Sequence, residues 1–111
     1  MIVEVVWYIQ YMNVIVVEEV AVFLEELERP AQTKALRLLE LLREYGVNLG
    51  MPHSRPLEDG VFELRARGKQ EVRLLYGFQH DGAIIVHGFI KKQQKTPRRH
   101  LDRAKEWMKG L

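Results

Sequence analysis

The sequence predicts an α+β fold: one antiparallel sheet with its helices on one side, in the order strand, helix, helix, three strands, helix. Three observations carry this reading. The tracts "VFELRAR" and "VRLLYGF" alternate apolar and polar residues, apolar residues recur at helical spacing between 16 and 45, and turn-forming residues fall between these tracts. At 111 residues the chain is expected to form a single domain spanning 1–111, since a chain of this size builds one core.

The first strand is expected over residues 2–9, which are rich in β-branched and aromatic types. From Val16 the period changes: Val16, Val20, Phe23, Leu24 and Leu27 line one helical face, with glutamates between them. Pro30 closes that helix and suits the opening turn of the next, because a first-turn N–H has no intrahelical partner to lose. The second helix should run to about Tyr45, burying Ala35, Leu38, Leu39 and Leu42, with Gly46 as its left-handed stop. Two helices so closely joined form a hairpin. Residues 47–60, "VNLGMPHSRPLEDG", read as a loop.

The next two strands share a register that parity fixes. For both apolar faces to meet one core, paired residue numbers must sum to an even total, and a turn centred on Lys69, with Gly68 free to take positive φ, pairs Leu64 with Leu74 and Arg65 with Arg73. Like charges placed opposite each other are destabilising. Two arginines there are explained better by a shared anion than by stability; a slipped register, or Glu63 lying between them, is the alternative. "HDG" at 80–82 marks a turn, and "AIIVHGFI" follows as a strand whose lack of strict alternation implies cover on both faces. Pro97 opens a short C-terminal helix with Leu101, Ala104, Trp107 and Met108 inward.

The net charge of +2 is unevenly distributed. Through Arg29 the chain carries −5, so the remainder carries +7, concentrated where the last strand ends in "IKKQQKTPRRH". Such polarity suits a polyanion, although a charge run can also be a solvated face. No basic segment precedes an uninterrupted apolar span near the start, so neither a signal peptide nor a membrane helix is expected. The absence of cysteine removes disulfides, thiolate metal sites and a Cys nucleophile, and fits a cytoplasmic protein. The four histidines lack metal-ligand spacing, and neither a phosphate-binding glycine loop nor a serine-nucleophile motif occurs. What is left is a set of cations: Arg65, Arg73, Lys91, Lys92, Lys95, Arg98 and Arg99. If the last strand lies beside the strand that carries Arg73, these gather at one end of the sheet. Fixed cations stabilise the charge that builds on a phosphorane, so a phosphodiester is the natural substrate; they can equally hold a nucleic-acid backbone without reaction.

"FELRARGKQEVRLLYGF" followed by "IIVHGFIKKQQKTPRRHLDRA" resembles the RelE/ParE superfamily of toxins, in its HigB-like, phage-derived branch, over essentially the whole chain. The resemblance implies a RelE-like fold and the toxin of a type II toxin-antitoxin pair, cleaving mRNA on the ribosome without metal or cofactor. It also implies neutralisation by a helix-turn-helix, HigA-like antitoxin. Arg65 matches the arginine of the E-L-R motif and Arg73 that of R-x-x-Y, which contacts the scissile phosphate in RelE-like enzymes. Lys91 and Lys92 match the basic pair that serves the transition state or leaving group. The general base is not inherited, since Leu101 stands where RelE has a tyrosine; Glu63 or His100 takes that role. Lys95, Arg98, Arg99, Arg67 and Lys69 are expected to attach ribosomal RNA, with His53 and Arg55 reaching RNA from the loop before the sheet. His87 and Tyr76 are expected in the core. The resemblance leaves open a ParE-like inhibitor of DNA gyrase, which the retained arginine and lysine positions disfavour, and a toxin-derived module that binds without cleaving.

Overall fold

The structure is a computed structural model that describes residues 12–80 and 82–111. It is α+β, as the sequence predicts, with three helices and a five-stranded sheet. The elements are β1 (Asn13–Val16), α1 (Glu18–Glu25), α2 (Arg29–Tyr45), a 3-10 turn (Gly46–Asn48), β2 (Ser54–Pro56), β3 (Phe62–Ala66), β4 (Val72–Gln79), β5 (Gly82–Ile90) and α3 (Arg98–Lys109). The strand expected over 2–9 lies outside the described residues. Val16, expected to begin the first helix, instead ends β1, and α1 starts two residues later.

The sheet has the order β1-β5-β4-β3-β2 and is mixed, not purely antiparallel. β1 pairs with β5 in parallel, Asn13 opposite Gly82 and Val16 opposite Ile85. The helical hairpin and β2–β4, which all lie between them in the chain, supply the long connection that parallel pairing requires. β2 falls within the stretch expected to be a loop. It is a three-residue edge strand against β3, and Pro56 at its end is compatible with an edge position. The β3–β4 register is the one that parity predicts, Leu64 opposite Leu74 and Arg65 opposite Arg73. Gly68 closes that turn without positive φ; its N–H instead donates to Glu71 Oε2 at 2.7 Å. Gly46 does take positive φ (55°), which glycine adopts without steric cost, and terminates α2.

Helices cover both faces of the sheet, not one. α1 and α2 bury Val20, Leu24, Ala31, Ala35, Leu38 and Leu42 against Leu64, Leu74, Tyr76 and Ile85. On the other face α3 buries Ala104, with Leu101 and Met108 beside it, against Leu75, Ile84, Val86 and Phe89. Trp107, expected inward, is 38% exposed, and the α3 stripe is correspondingly narrow. No helix among the described residues is long and apolar enough to cross a membrane.

α3 reaches only part of its face. Side chains alternate across a strand, so Glu63, Arg65 and Arg73 point to the side that α3 covers, toward the end of the sheet where β5 runs into the 91–97 connection. That end is where the site forms.

Candidate functional site

Arg73 faces Phe89 across the β4–β5 ladder, and the Lys91 N–H donates to the Glu71 carbonyl at 2.6 Å, so the basic tract leaves the sheet beside Arg73. Arg73 is 1% exposed and Glu63 0%. The polar-looking side of these two strands is therefore interior at Glu63 and Arg73. Glu63 does lie between the opposed arginines. Its Oε1 accepts from Arg55 Nη2 at 3.2 Å and stands 3.9 Å from both Arg65 Nε and Arg73 Nε, while Oε2 accepts from the Thr96 hydroxyl at 2.7 Å.

The carboxylate does not saturate this cluster. At 3.9 Å the two Nε contacts are electrostatic and too long for hydrogen bonds. The Nε atoms of Arg55, Arg65 and Arg73 are buried with no hydrogen-bond partner among the described residues. Arg73 is further fixed by Glu71 Oε1 at 3.1 Å and by its donation to the Val72 carbonyl at 2.9 Å. Arg55, Arg65, Arg73 and Lys91 set against Glu63 and Glu71 leave the cluster at +2. The surplus is felt: burial first, and then the neighbouring guanidiniums, draw the pKa values of Arg65 and Lys91 down. An anion arriving here would relieve both effects.

Beside this cluster lies a cleft of about 120 Å³ lined by Phe89, Ile90, Lys91, Lys92, Gln93, Pro97, Arg99 and His100. The His100 ring stacks flat on Phe89, with centroids 3.9 Å apart and planes 3° from parallel. Its Nδ1 shares a 2.8 Å hydrogen bond with His87 Nε2. Burial, followed by Arg99, lowers the His100 pKa and so favours the neutral ring.

The remaining expected residues border these two features. Arg55, Lys95 and Arg98 line a shallow depression next to Thr96 and Leu101. Arg98 is engaged by Glu58 and by Asp102, the latter at 3.1 Å, which ties the start of α3 to the connection before β3. His53, Arg65 and Arg67 line a more apolar groove against α2, with Thr33, Lys34, Arg37, Leu38 and Leu41. Lys69 sits exposed in the β3–β4 turn.

Sequence reasoning did not find Thr96, Glu71 or the His87–His100 pair as parts of the site. Glu71 had a signal: at two residues from Arg73 it shares the strand face. The His87–His100 contact had none, because it joins a strand to a helix across the 91–97 connection. Tyr76 is core, as expected, and its hydroxyl meets Ser54 Oγ at 2.5 Å.

Residues 22–109 match the family described as phage derived protein Gp49-like (DUF891). No curated protein matches the chain.

Proposed function

The chain belongs to the Gp49-like family of phage-derived proteins, a toxin-like family of RelE type, and on that premise we propose that it is a ribosome-dependent mRNA endonuclease, the toxin of a type II toxin-antitoxin pair. Its partners in this reading are mRNA, the ribosome and a helix-turn-helix antitoxin, in the cytoplasm. The observation that carries it is the opposed Arg65–Arg73 pair, Arg73 buried and Arg65 half-buried, whose Nε atoms have no hydrogen-bond partner among the described residues, next to the stacked His100 and to Lys91.

In this reading the scissile phosphate enters against Arg65 and Lys91, with the buried Arg73 adding its charge from within the sheet, and the cluster gains the anion that Glu63 only partly provides. The 2′-hydroxyl oxygen attacks phosphorus, its proton passes to His100 Nε2, and the bond from phosphorus to the 5′ oxygen breaks. The leaving oxygen takes a proton from Lys91, whose lowered pKa makes the ammonium a better acid. The products are a 2′,3′-cyclic phosphate and a 5′-hydroxyl. Charge developing on the phosphorane is met by guanidiniums already held in place, so little reorganisation is needed. Glu63, buried and surrounded, holds the arginines and the 91–97 connection; it does not act as the base. Lys92 and Arg99 extend the positive surface along the cleft, and Lys95, Arg98, Arg67, Lys69, His53 and Arg55 offer backbone contacts on either side.

The test is induced expression followed by mapping of mRNA ends, with single-turnover cleavage on programmed ribosomes. The expected result is rapid translational arrest with cyclic-phosphate or 3′-phosphate ends, and a loss on the order of 10²- to 10³-fold in Arg73→Ala, partly recovered in Arg73→Lys. Intact transcripts together with gyrase-dependent DNA breaks would overturn it.

A further inference from the structure

His87 was expected to be an ordinary core histidine. Its position is instead set by an irregularity in β5. The β4–β5 register shifts between Leu75, opposite His87, and Tyr76, opposite Ile85, so that Val86 is the extra residue of a β-bulge. Simple alternation from Ile84 and Val86, which pack toward α3, would send His87 to the α1–α2 face. The bulge resets the alternation, and His87 meets His100 and Phe89 while Gly88 turns toward Phe23 and Leu74. One inserted residue thus brings a strand histidine against the helix histidine that borders the cleft.

A hydrogen bond between two neutral imidazoles carries a single proton. If His87 donates it, His100 bears its other hydrogen on Nε2 and cannot accept a proton there. If His100 donates from Nδ1, its Nε2 has a free lone pair. The two arrangements are chemically opposite at the cleft. Lys91, Lys92 and Arg99 line that cleft and carry only donors, and the one other polar side chain there, Gln93, can present either end of its amide, so a bare nitrogen facing them is favoured over an N–H. His87 can hold its acceptor role because burial, His100 and Arg103 disfavour its charged form, against the weaker opposing pull of Glu19, and bring its pKa to about 4. Glu19 and Arg103, themselves paired at 3.2 Å, are the charged groups that act on it from α1 and α3.

We propose that His87 is a positioning residue that keeps the shared proton on His100 Nδ1 and thereby presents His100 Nε2 to the substrate as a proton acceptor. This rests on the reading of the site as a ribonuclease centre. Phe89 fixes the plane of the ring and His87 fixes its rotation and tautomer. The pair is one unit, and its output is a nitrogen of defined state at the wall of the cleft.

Two measurements test it. Long-range ¹H–¹⁵N spectra of ¹⁵N-histidine-labelled wild-type protein near pH 7.5 should show neutral His100 protonated on Nδ1 and bare on Nε2; the reverse tautomer overturns the proposal. In single-turnover cleavage on programmed ribosomes, His87→Leu should be slower by about 10-fold or more, within the roughly 10²-fold or greater share that a positioned base contributes. His87→Gln, whose amide oxygen can accept from His100 Nδ1, should recover most of that rate. Equal losses in the two variants, or a His87→Leu rate within twofold of wild type, would reduce His87 to packing. Wild-type protein that leaves mRNA intact would refute the functional reading, while the spectrum still decides the pairing.

Discussion

Replacing Glu63 by glutamine isolates what the buried carboxylate does, because the volume is kept and an amide oxygen can still accept from Thr96. What is lost is one negative charge facing Arg55 at 3.2 Å and Arg65 and Arg73 at 3.9 Å each. Two unit charges near 4 Å attract by about 4 kcal/mol at an effective dielectric constant of about 20. Desolvating the carboxylate offsets several kcal/mol of that attraction, so the pairwise values cannot simply be added. Removing one partner of a buried ion pair, with the other charges left in place, costs about 3–5 kcal/mol. For a chain of this size 1 kcal/mol corresponds to roughly 4 °C, so Glu63→Gln should melt roughly 12–20 °C below wild type in a calorimetric or circular-dichroism scan. Inorganic phosphate or sulfate should restore part of the loss, since an anion that binds the folded state takes the place of the missing charge. Cleavage should fall with it, as the guanidiniums lose their fixed geometry. A melting temperature within about 4 °C of wild type, unaffected by phosphate, would refute the view that this carboxylate organises the arginines.

Three further outcomes are expected. Alanine at Lys95 and Arg99 together should weaken ribosome binding and flatten its dependence on salt, because each lost phosphate contact releases fewer counterions; an unchanged salt slope in filter binding contradicts this. His87 titrates near 4 when folded against about 6.5 when unfolded, so the unfolded chain binds the additional proton between those values. Its contribution is complete above about pH 6.5 and is lost as pH falls toward 4, with His100, Glu19 and Arg103 as the groups facing it. Urea denaturation should accordingly show wild type losing stability relative to His87→Gln between pH 7 and pH 5, and a difference independent of pH would count against it. Gly88→Ala should destabilise by about 1–3 kcal/mol, because a Cβ there would stand 2.6 Å from Phe23 Cδ2 and 3.0 Å from Leu74 Cδ2; unaltered urea unfolding would show that the α1 packing yields freely.

Local regularities make much of this molecule legible in its sequence. The second helix was readable from Pro30, its apolar stripe and Gly46, all of which act within a few residues. The β3–β4 register followed from parity, since a one-residue slip would have turned Leu64 and Leu74 away from the core. The basic tract after Ile90 was placed beside Arg73 because an adjacent antiparallel β5 must end there. β2 was not legible: Ser54, Arg55 and Pro56 show no alternation, and an edge strand of three residues gains its ladder only from the neighbour it meets.

The sequence by itself determined the α+β class, the helical hairpin, the pairing of Arg65 with Arg73 and the gathering of cations where β5 ends. Each of these rests on periods, turns and charges that neighbouring residues carry. Tertiary structure decided which sheet face α3 covers, that Arg73 and Glu63 are interior, and that Trp107 is not. It also decided that His87 meets His100. Burial of a guanidinium depends on what distant segments bring over it, here Thr96 of the 91–97 connection and Arg55 of β2 closing on Glu63. A single bulged residue, invisible in a run of β-branched side chains, chose the face to which His87 points.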